Sequence, residues 1–276
     1  MKKTLIALFA MSTVASAATT VLVEQDFTTL DGYSQTWTDS DNVTHTSVLP
    51  EGWGTANLKN DASPHFKFGK NGALNHPAWA VISLYTENLD ISSDNTYTIT
   101  FNTYAMGNET QCLFYLSSDT YSIAIGNSYN DHAFVSIGST DQSVQGKRLS
   151  FQEPHTEGDT VAAIIPDVLA TSTHNDTNGV QTDQGDLLDV HNPLSYSITL
   201  SSGLLNVSVK DKNNKTWTKE VAISEDFNFT SMGWVFDGPQ YAVGLQNASL
   251  KVIPEPTTAT LSLLALAGLA ARRRRK

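Results

Sequence analysis

Residues Tyr97-Thr98-Ile99-Thr100-Phe101 alternate apolar and polar side chains without interruption. Two later runs repeat the pattern, Ser195-Tyr196-Ser197-Ile198-Thr199-Leu200 and Leu205-Asn206-Val207-Ser208-Val209. A period of two is typical of a β-strand that buries one face and leaves the other in water. Similar patterns predict further strands over 21–27, 79–85, 112–117, 121–126, 132–138, 216–223, 232–237 and 241–253. The chain is therefore predicted to be all-β.

Helical signals are sparse, and the best helix candidate, Val161–Ala170, is interrupted by Pro166. No domain boundary stands out between the two ends of the chain. We therefore expect residues 18–253 to form one two-sheet antiparallel β-sandwich of jelly-roll type. Within it, the irregular segment 151–193 is rich in His and Asp and is interpreted as a long insertion at one end of the sandwich.

The charge distribution excludes some partners. The chain has 276 residues, of which 40% are hydrophobic and 16% charged, a composition that excludes a wholly disordered protein. Seven of its 17 basic residues lie in the terminal segments, so residues 18–256 combine ten basic side chains with all 28 acidic ones and carry a net charge of −18. Such a surface repels phosphate backbones, which argues against nucleic-acid binding.

The N-terminus has the three parts of a secretory signal peptide. Lys2 and Lys3 form the positive region, Leu5–Met11 the apolar core, and Ala15-Ser16-Ala17 a cleavage site of small residues. We predict that residues 1–17 lead the chain to the secretion translocon and that signal peptidase cuts after Ala17. An N-terminal membrane anchor is the alternative, but the apolar run is short for that role.

The C-terminus combines Pro254-Glu255-Pro256, an apolar stretch over Thr257–Ala271 and a basic cluster. Fifteen helical residues would span roughly 22 Å, less than the ~30 Å of a bilayer core unless flanking residues snorkel or the bilayer thins. The adjacent cations would stay on the cytoplasmic side and halt translocation. The cluster consists of Arg272, Arg273, Arg274, Arg275 and Lys276. On these grounds we predict an apolar transmembrane helix within 254–276.

This order of motif, helix and basic cluster resembles the PEP-CTERM sorting signal of bacterial envelope proteins. The resemblance implies that an exosortase-type membrane enzyme recognises the tail, cleaves near Pro254 and passes the protein from the inner membrane to the cell surface or extracellular matrix. It also implies an association with exopolysaccharide. A plain C-terminal anchor is the alternative.

The body also contains a series of motifs, namely Asp26-Phe27, Leu49-Pro50-Glu51-Gly52-Trp53, Pro77-Ala78-Trp79, Leu89-Asp90-Ile91-Ser92 followed by Tyr97-Thr98-Ile99-Thr100-Phe101, and Gly244–Val252. In this order they resemble extracellular concanavalin-like jelly rolls, including LamG-like, MAM-like and cleaved-adhesin modules. The resemblance implies that Trp53 and Trp79 anchor the core. Where an acidic residue often stands in the last strand of such modules, this chain has Gln246 or Asn247.

No catalytic motif is present. The sequence lacks a G-x-S-x-G elbow, a P-loop, H-E-x-x-H, C-x-x-C and the E-x-D-x-x-E strand used by some jelly-roll glycosidases. The single cysteine, Cys112, lies in an apolar strand pattern and is interpreted as a buried, inert thiol. We therefore predict a protein that is not an enzyme. A polysaccharide-degrading enzyme stays open, since 28 acidic residues could supply a carboxylate pair.

No cofactor is indicated with certainty, but one polar tract carries the hard oxygen ligands that calcium prefers. The tract fails the EF-hand pattern, because His174 and Gly185 occupy the first and twelfth positions. A solvated loop is the alternative interpretation. The candidate calcium ligands are Asp176, Asn178, Asp183, Asp186 and Asp189.

Sugar binding needs exposed aromatic rings near polar groups, because the C–H faces of a pyranose pack against them. Tyr33, Trp37, Tyr129 and Asp131 lie among polar neighbours and are the candidate ligand residues. The sequence thus predicts an exported, surface-sorted, non-catalytic protein that binds glycan or matrix polysaccharide. A purely structural envelope protein is the first alternative.

Overall fold

The structure is a computed structural model of the full chain. It describes residues 19–59, 65–76, 81–105, 111–118, 122–127, 133–138, 160–163, 194–210, 214–237 and 243–254. Within these ranges nearly all regular structure is β, apart from one 3-10 turn, Phe27–Thr29. All paired strands run antiparallel, as predicted.

The larger sheet has nine strands and contains the alternating runs of the sequence. Its order is β16-β15-β14-β9-β18-β7-β6-β2, and β1 also pairs with β18. Its strands are β1 (Thr20–Asp26), β2 (Gly32–Tyr33), β6 (His65–Gly69), β7 (Gly72–His76), β9 (Asn95–Ala105), β14 (Leu194–Ser201), β15 (Leu204–Lys210), β16 (Thr216–Ala222) and β18 (Val243–Pro254).

The second sheet has seven strands in the order β13-β12-β11-β10-β17-β8-β5. A separate two-stranded ribbon is formed by β3 (Trp37–Thr38) and β4 (Thr44–His45). The strands of the seven-stranded sheet are β5 (Trp53–Lys59), β8 (Val81–Ser92), β10 (Gln111–Ser117), β11 (Ser122–Asn127), β12 (Ala133–Gly138), β13 (Thr160–Ala163) and β17 (Asn228–Asp237).

The core lies between the two large sheets. Phe101 of the nine-stranded sheet contacts Phe114 and Trp234 of the seven-stranded sheet, with ring centroids 5.0 and 5.5 Å apart. Cys112 also belongs to this core, and burial raises the pKa of its thiol. The thiol is buried, as predicted, and the two-sheet antiparallel sandwich is confirmed.

The helix prediction for Val161–Ala170 was wrong at its start. Thr160–Ala163 is instead strand β13, whose Val161 pairs with Ser136 of β12. The β-branched Thr160 and Val161 favour a strand, and an available sheet edge outweighs a weak helical pattern. The rest of that candidate helix lies outside the described residues.

Strands β5, β6 and β7 were not predicted from the sequence. β6 and β7 have only five residues each, and the three strands together contain Gly, Asn and Lys, which weakens a strand pattern. Trp53 of β5 is partly buried and packs edge-on against Phe27 at 5.0 Å between ring centroids. This position agrees with its expected role as a core anchor, whereas Trp79 lies outside the described residues.

Among the residues that the structure describes, no helix is long and apolar enough to cross a bilayer. The predicted signal peptide and the apolar segment 257–271 lie outside those residues.

Candidate functional site

A tight turn between β3 and β4 builds one candidate site. The Asp39 carboxylate Oδ1 accepts hydrogen bonds from the backbone N–H groups of Asp41 and Val43, at 3.0 and 2.8 Å. Asn42 takes a positive φ of 61°, which Asn tolerates better than most residues. This Asx-type turn reverses the chain and places Trp37 directly opposite His45.

Four rings meet beside this turn. Tyr33 lies 5.0 Å from Trp37 and 4.8 Å from His45, measured between ring centroids. The His45 ring stacks on Trp37 at 5.4 Å and 18°, and His65 lies 4.9 Å from Trp37. We call Tyr33, Trp37, His45 and His65 the aromatic cluster. The sequence had singled out Tyr33 and Trp37, and the structure brings these two together.

Strand pairing fixes the face on which the aromatic cluster lies. Tyr33 pairs with Lys67 of β6, and the Lys67 ammonium lies 5.7 Å from the centre of the Tyr33 ring. Phe66 and Phe68 of the same strand are buried in the core. Because side chains alternate along a strand, His65 and Lys67 point away from the core; Lys67 is partly exposed, whereas His65 is buried by its neighbours on this face. The aromatic cluster therefore lies on the outer face of the nine-stranded sheet, near its β2 edge.

Hydrogen bonds hold the segments beneath the aromatic cluster together. The Phe66 N–H donates to the Ser34 hydroxyl at 2.8 Å, and the Ser34 N–H donates to the Phe66 carbonyl at 2.9 Å. The Ser47 hydroxyl donates to the Ser34 carbonyl at 2.9 Å. These bonds fix the backbone at Ser34, the residue next to Tyr33. The strands therefore set the position of the Tyr33 ring, which does not depend on a free loop.

Local partners shift the pKa values of Asp39, in the turn beside the aromatic cluster, and of Tyr33 within it. The pKa of Asp39 is lowered, first by the Val43 N–H bond and then by the His45 ring, whose Nε2 lies 3.0 Å from Oδ2. Burial raises the pKa of Tyr33, and the carboxylates of Asp39 and Asp31 raise it further. The Tyr33 hydroxyl is therefore neutral near pH 7 and can donate a hydrogen bond.

The Asp39 turn predicts a pH dependence of stability. Because folding lowers the pKa of Asp39, its ionised form favours the folded state; this contribution is complete above about pH 5 and is lost as the pH falls through the folded value. We expect Asp39→Asn to lower the unfolding temperature at pH 6 and to make little difference at pH 2. Thermal unfolding of both proteins across this range checks it, with the exposed Asp94→Asn as control. An equal effect of Asp39→Asn at both pH values would contradict the assignment.

A second candidate site is a groove of about 620 Å³ on the same outer face. It crosses β16, β15, β14, β9, β18 and β1. We call it the sheet groove. Its outward-facing lining residues are Glu24, Asp26, Thr100, Asn102, Ser195, Ser197, Ser208, Lys210, Thr216, Asn247, Ser249 and Lys251.

The other predicted site residues lie outside the described residues. These are Tyr129, Asp131 and the five candidate calcium ligands, together with Glu255, Pro256 and the four arginines Arg272–Arg275. Pro254 is described as the last residue of β18, paired with Asn95. Within the described ranges, no group of three or more His, Cys, Asp or Glu side chains could hold a metal ion.

Sequence reasoning missed the histidines and Asp39. Asp39-Ser40-Asp41-Asn42 is a recognisable turn signal, and it could have indicated that Trp37 and His45 face each other. His65 could not have been found this way, because it joins the cluster only through the pairing of β6 with β2.

No protein-family model and no curated protein matches the chain. Three solved structures similar to it are the CBM2 module of the evolved Dit of Lactobacillus casei BL23 phage J-1, the exoplasmic/lumenal domain of VIP36 bound to Ca²⁺ and Man2, and lectin I-B4 of Griffonia simplicifolia in its metal-free form. Their identities are 13%, 11% and 8%, and their TM-scores 0.49, 0.41 and 0.40. The alignments cover 87%, 82% and 74% of this chain and 98%, 88% and 95% of the respective structures. Likenesses at this level assign neither a family nor a ligand.

Proposed function

We propose that this is an exported, surface-sorted jelly-roll protein that binds a glycan without catalysing a reaction. The observation that carries the proposal is the contact between the rings of Tyr33 and Trp37 on the outer sheet face. Both rings are only partly buried, so ring edges and faces remain in reach of solvent. Aromatic rings offer apolar contact for the C–H groups of a sugar, and their polar neighbours can bind its hydroxyls.

The polar groups around the rings suit hydroxyl-rich ligands. The Lys67 ammonium is partly exposed and can donate hydrogen bonds to a ligand. The Asp39 carboxylate, which the His45 Nε2 atom contacts at 3.0 Å, is also partly exposed and can accept them. Each of these groups belongs to a strand or to the hydrogen-bonded turn, so little ordering is needed on binding. Preorganised polar groups beside an apolar platform lower the entropic cost of association.

Export is proposed from the two terminal segments. Residues 1–17 would engage the secretion translocon and signal peptidase, and residues 254–276 would anchor the chain transiently in the inner membrane before an exosortase-type enzyme acts. Labelling intact cells with an antibody against the body tests this route. We expect surface labelling that is lost when the Arg272–Lys276 cluster is deleted, whereas a body retained in the cytoplasm would contradict it.

Removing the Trp37 ring should weaken glycan binding. We expect Trp37→Ala to lower affinity at least about tenfold, equivalent to about 1.4 kcal/mol, because central aromatic contacts commonly contribute that much or more. Titration calorimetry with a glycan selected on an array measures the change. Trp217→Ala is the control for loss of a partly buried ring away from the site, since Trp217 also lies beside a lysine, Lys215, but packs against the core on edge strand β16. Equal losses in both variants would contradict a sugar platform at Trp37.

A further inference from the structure

The sheet groove carries polar side chains in rows that cross six strands. Residues paired across neighbouring strands stand side by side on one face of a sheet. One row crosses all six strands through Thr216, Lys210, Ser195, Asn102, Asn247 and Asp26. The next row runs through Ser208, Ser197, Thr100, Ser249 and Glu24. At about 4.8 Å between strands, six strands extend about 24 Å, enough for several sugar units in line.

Many of these polar groups are available to a ligand. In the described part of the chain, the side chains of Ser197, Ser208 and Lys210 form no hydrogen bond or ion pair. The Ser249 hydroxyl, which lines the groove, is buried and has no hydrogen-bond partner within the same ranges. Buried hydroxyls are normally hydrogen-bonded, so an unpartnered one beside a groove points to a partner from outside the chain.

The chemistry of the groove favours an uncharged ligand. Two ammonium groups, Lys210 and Lys251, are balanced by two carboxylates, Glu24 and Asp26, and the remaining outward lining is hydroxyl and amide. The chain from 18 to 256 carries a net charge of −18, which repels acidic polymers. Hydroxyl and amide groups can both donate and accept, which matches the hydroxyls of a sugar.

We propose that the sheet groove is a second binding site, which holds an extended neutral polysaccharide across the six strands β16, β15, β14, β9, β18 and β1. The class of ligand in this inference rests on the proposed function, whereas the location of the site does not. The aromatic cluster and the groove share one outer sheet face, so one polymer, or two, could engage both. Two linked sites raise the overall affinity for a long polymer well above that of either site alone.

A blocking substitution tests the groove. Ser197 is exposed at its centre, so Ser197→Trp should fill it without disturbing the core. Ala222→Trp is the matched control, because Ala222 is exposed on the same outer face but outside the groove. The readout is the dissociation constant of the full chain from affinity electrophoresis in gels containing dextran, hydroxyethyl cellulose or alginate. Thermal unfolding confirms that both variants are folded.

We expect Ser197→Trp to weaken binding to at least one neutral polymer tenfold or more, and Ala222→Trp to leave it unchanged. Ser197→Trp should cause the same loss of affinity when it is introduced into the Trp37→Ala protein. Wild-type affinity in Ser197→Trp, with binding abolished by Trp37→Ala, would overturn the groove and leave the proposed function standing. Loss in Ser197→Trp alone would support the groove and reject the aromatic cluster. Binding to alginate only would overturn the proposal that the ligand is neutral. Binding to none of the three polymers would overturn the proposal that the groove is a polysaccharide site.

Discussion

Gly72→Ala is expected to destabilise the protein by about 3 to 4 kcal/mol. Gly72 begins β7 with a φ of 93°, a conformation that residues with a Cβ adopt only with strain. A Cβ placed there would collide with the Leu245 carbonyl oxygen and would lie 2.8 Å from the Gln246 Cα. Both atoms are backbone and cannot rotate away. The irregularity of β18 between Leu245 and Asn247 lies beside Gly72, where β18 meets β7.

Chemical denaturation of the Gly72→Ala protein measures the loss. Gly52→Ala is the matched control, because Gly52 has a similar φ of 79° but a Cβ at this position would have no atom within 4 Å. Gly52→Ala therefore introduces conformational strain without a steric clash, and we expect this strain to lower the free energy of unfolding by about 1 kcal/mol. A similar cost for both substitutions would show that β7 does not approach β18 as closely as described.

Trp234→Ala is expected to cost about 4 kcal/mol, the magnitude typical of removing a large buried ring. Trp234 is fully buried, and its ring lies 5.5 Å from Phe101, 5.2 Å from Phe114 and 6.0 Å from Trp53. Phe101 belongs to the opposite sheet, so this ring joins the two layers. The substitution removes contacts in both sheets and leaves a cavity that the rigid strands cannot fill.

Trp234→Phe separates the ring contacts from the indole nitrogen. The Trp234 Nε1 atom is buried and has no hydrogen-bond partner within the described part of the chain. A phenyl ring keeps much of the packing and removes an unsatisfied donor, so this substitution should cost far less than Ala. Urea unfolding of the two variants measures the difference. Equal costs would contradict the position of the ring between the sheets.

Much of the fold followed from strand alternation in the sequence. Tyr97, Ile99 and Phe101 were predicted to share a buried face, and the structure places all three in the core. The alternation predicts strands and their faces because side chains on a strand point to opposite sides in turn. It does not reveal which strands are neighbours, and the order of both sheets came only from the structure. Short β5 to β7 escaped prediction because their burial depends on distant partners.

The candidate site was only half predictable for the same reason. The polar surroundings of Tyr33 and Trp37 marked them as surface rings. His65 joins them only because its strand, β6, pairs with β2. The two strands are far apart in the chain, since Ser34 and Phe66, which are hydrogen-bonded to each other, are separated by 32 residues. The sheet groove was not predicted, although the alternation over residues 195–200 places Ser195, Ser197 and Thr199 on one polar face. The groove forms only when strands distant in sequence stand side by side in the assembled sheet, and no local pattern encodes that order.

Glycan binding by the full chain is the central claim, and a glycan array probed with and without a calcium chelator tests it most directly. We predict selective, saturable binding that is weakened in the Trp37→Ala protein. Loss of binding on chelation would in addition support the proposed calcium ligands Asp176, Asn178, Asp183, Asp186 and Asp189. Absence of binding to any glycan under both conditions would contradict the account and would favour a purely structural envelope protein.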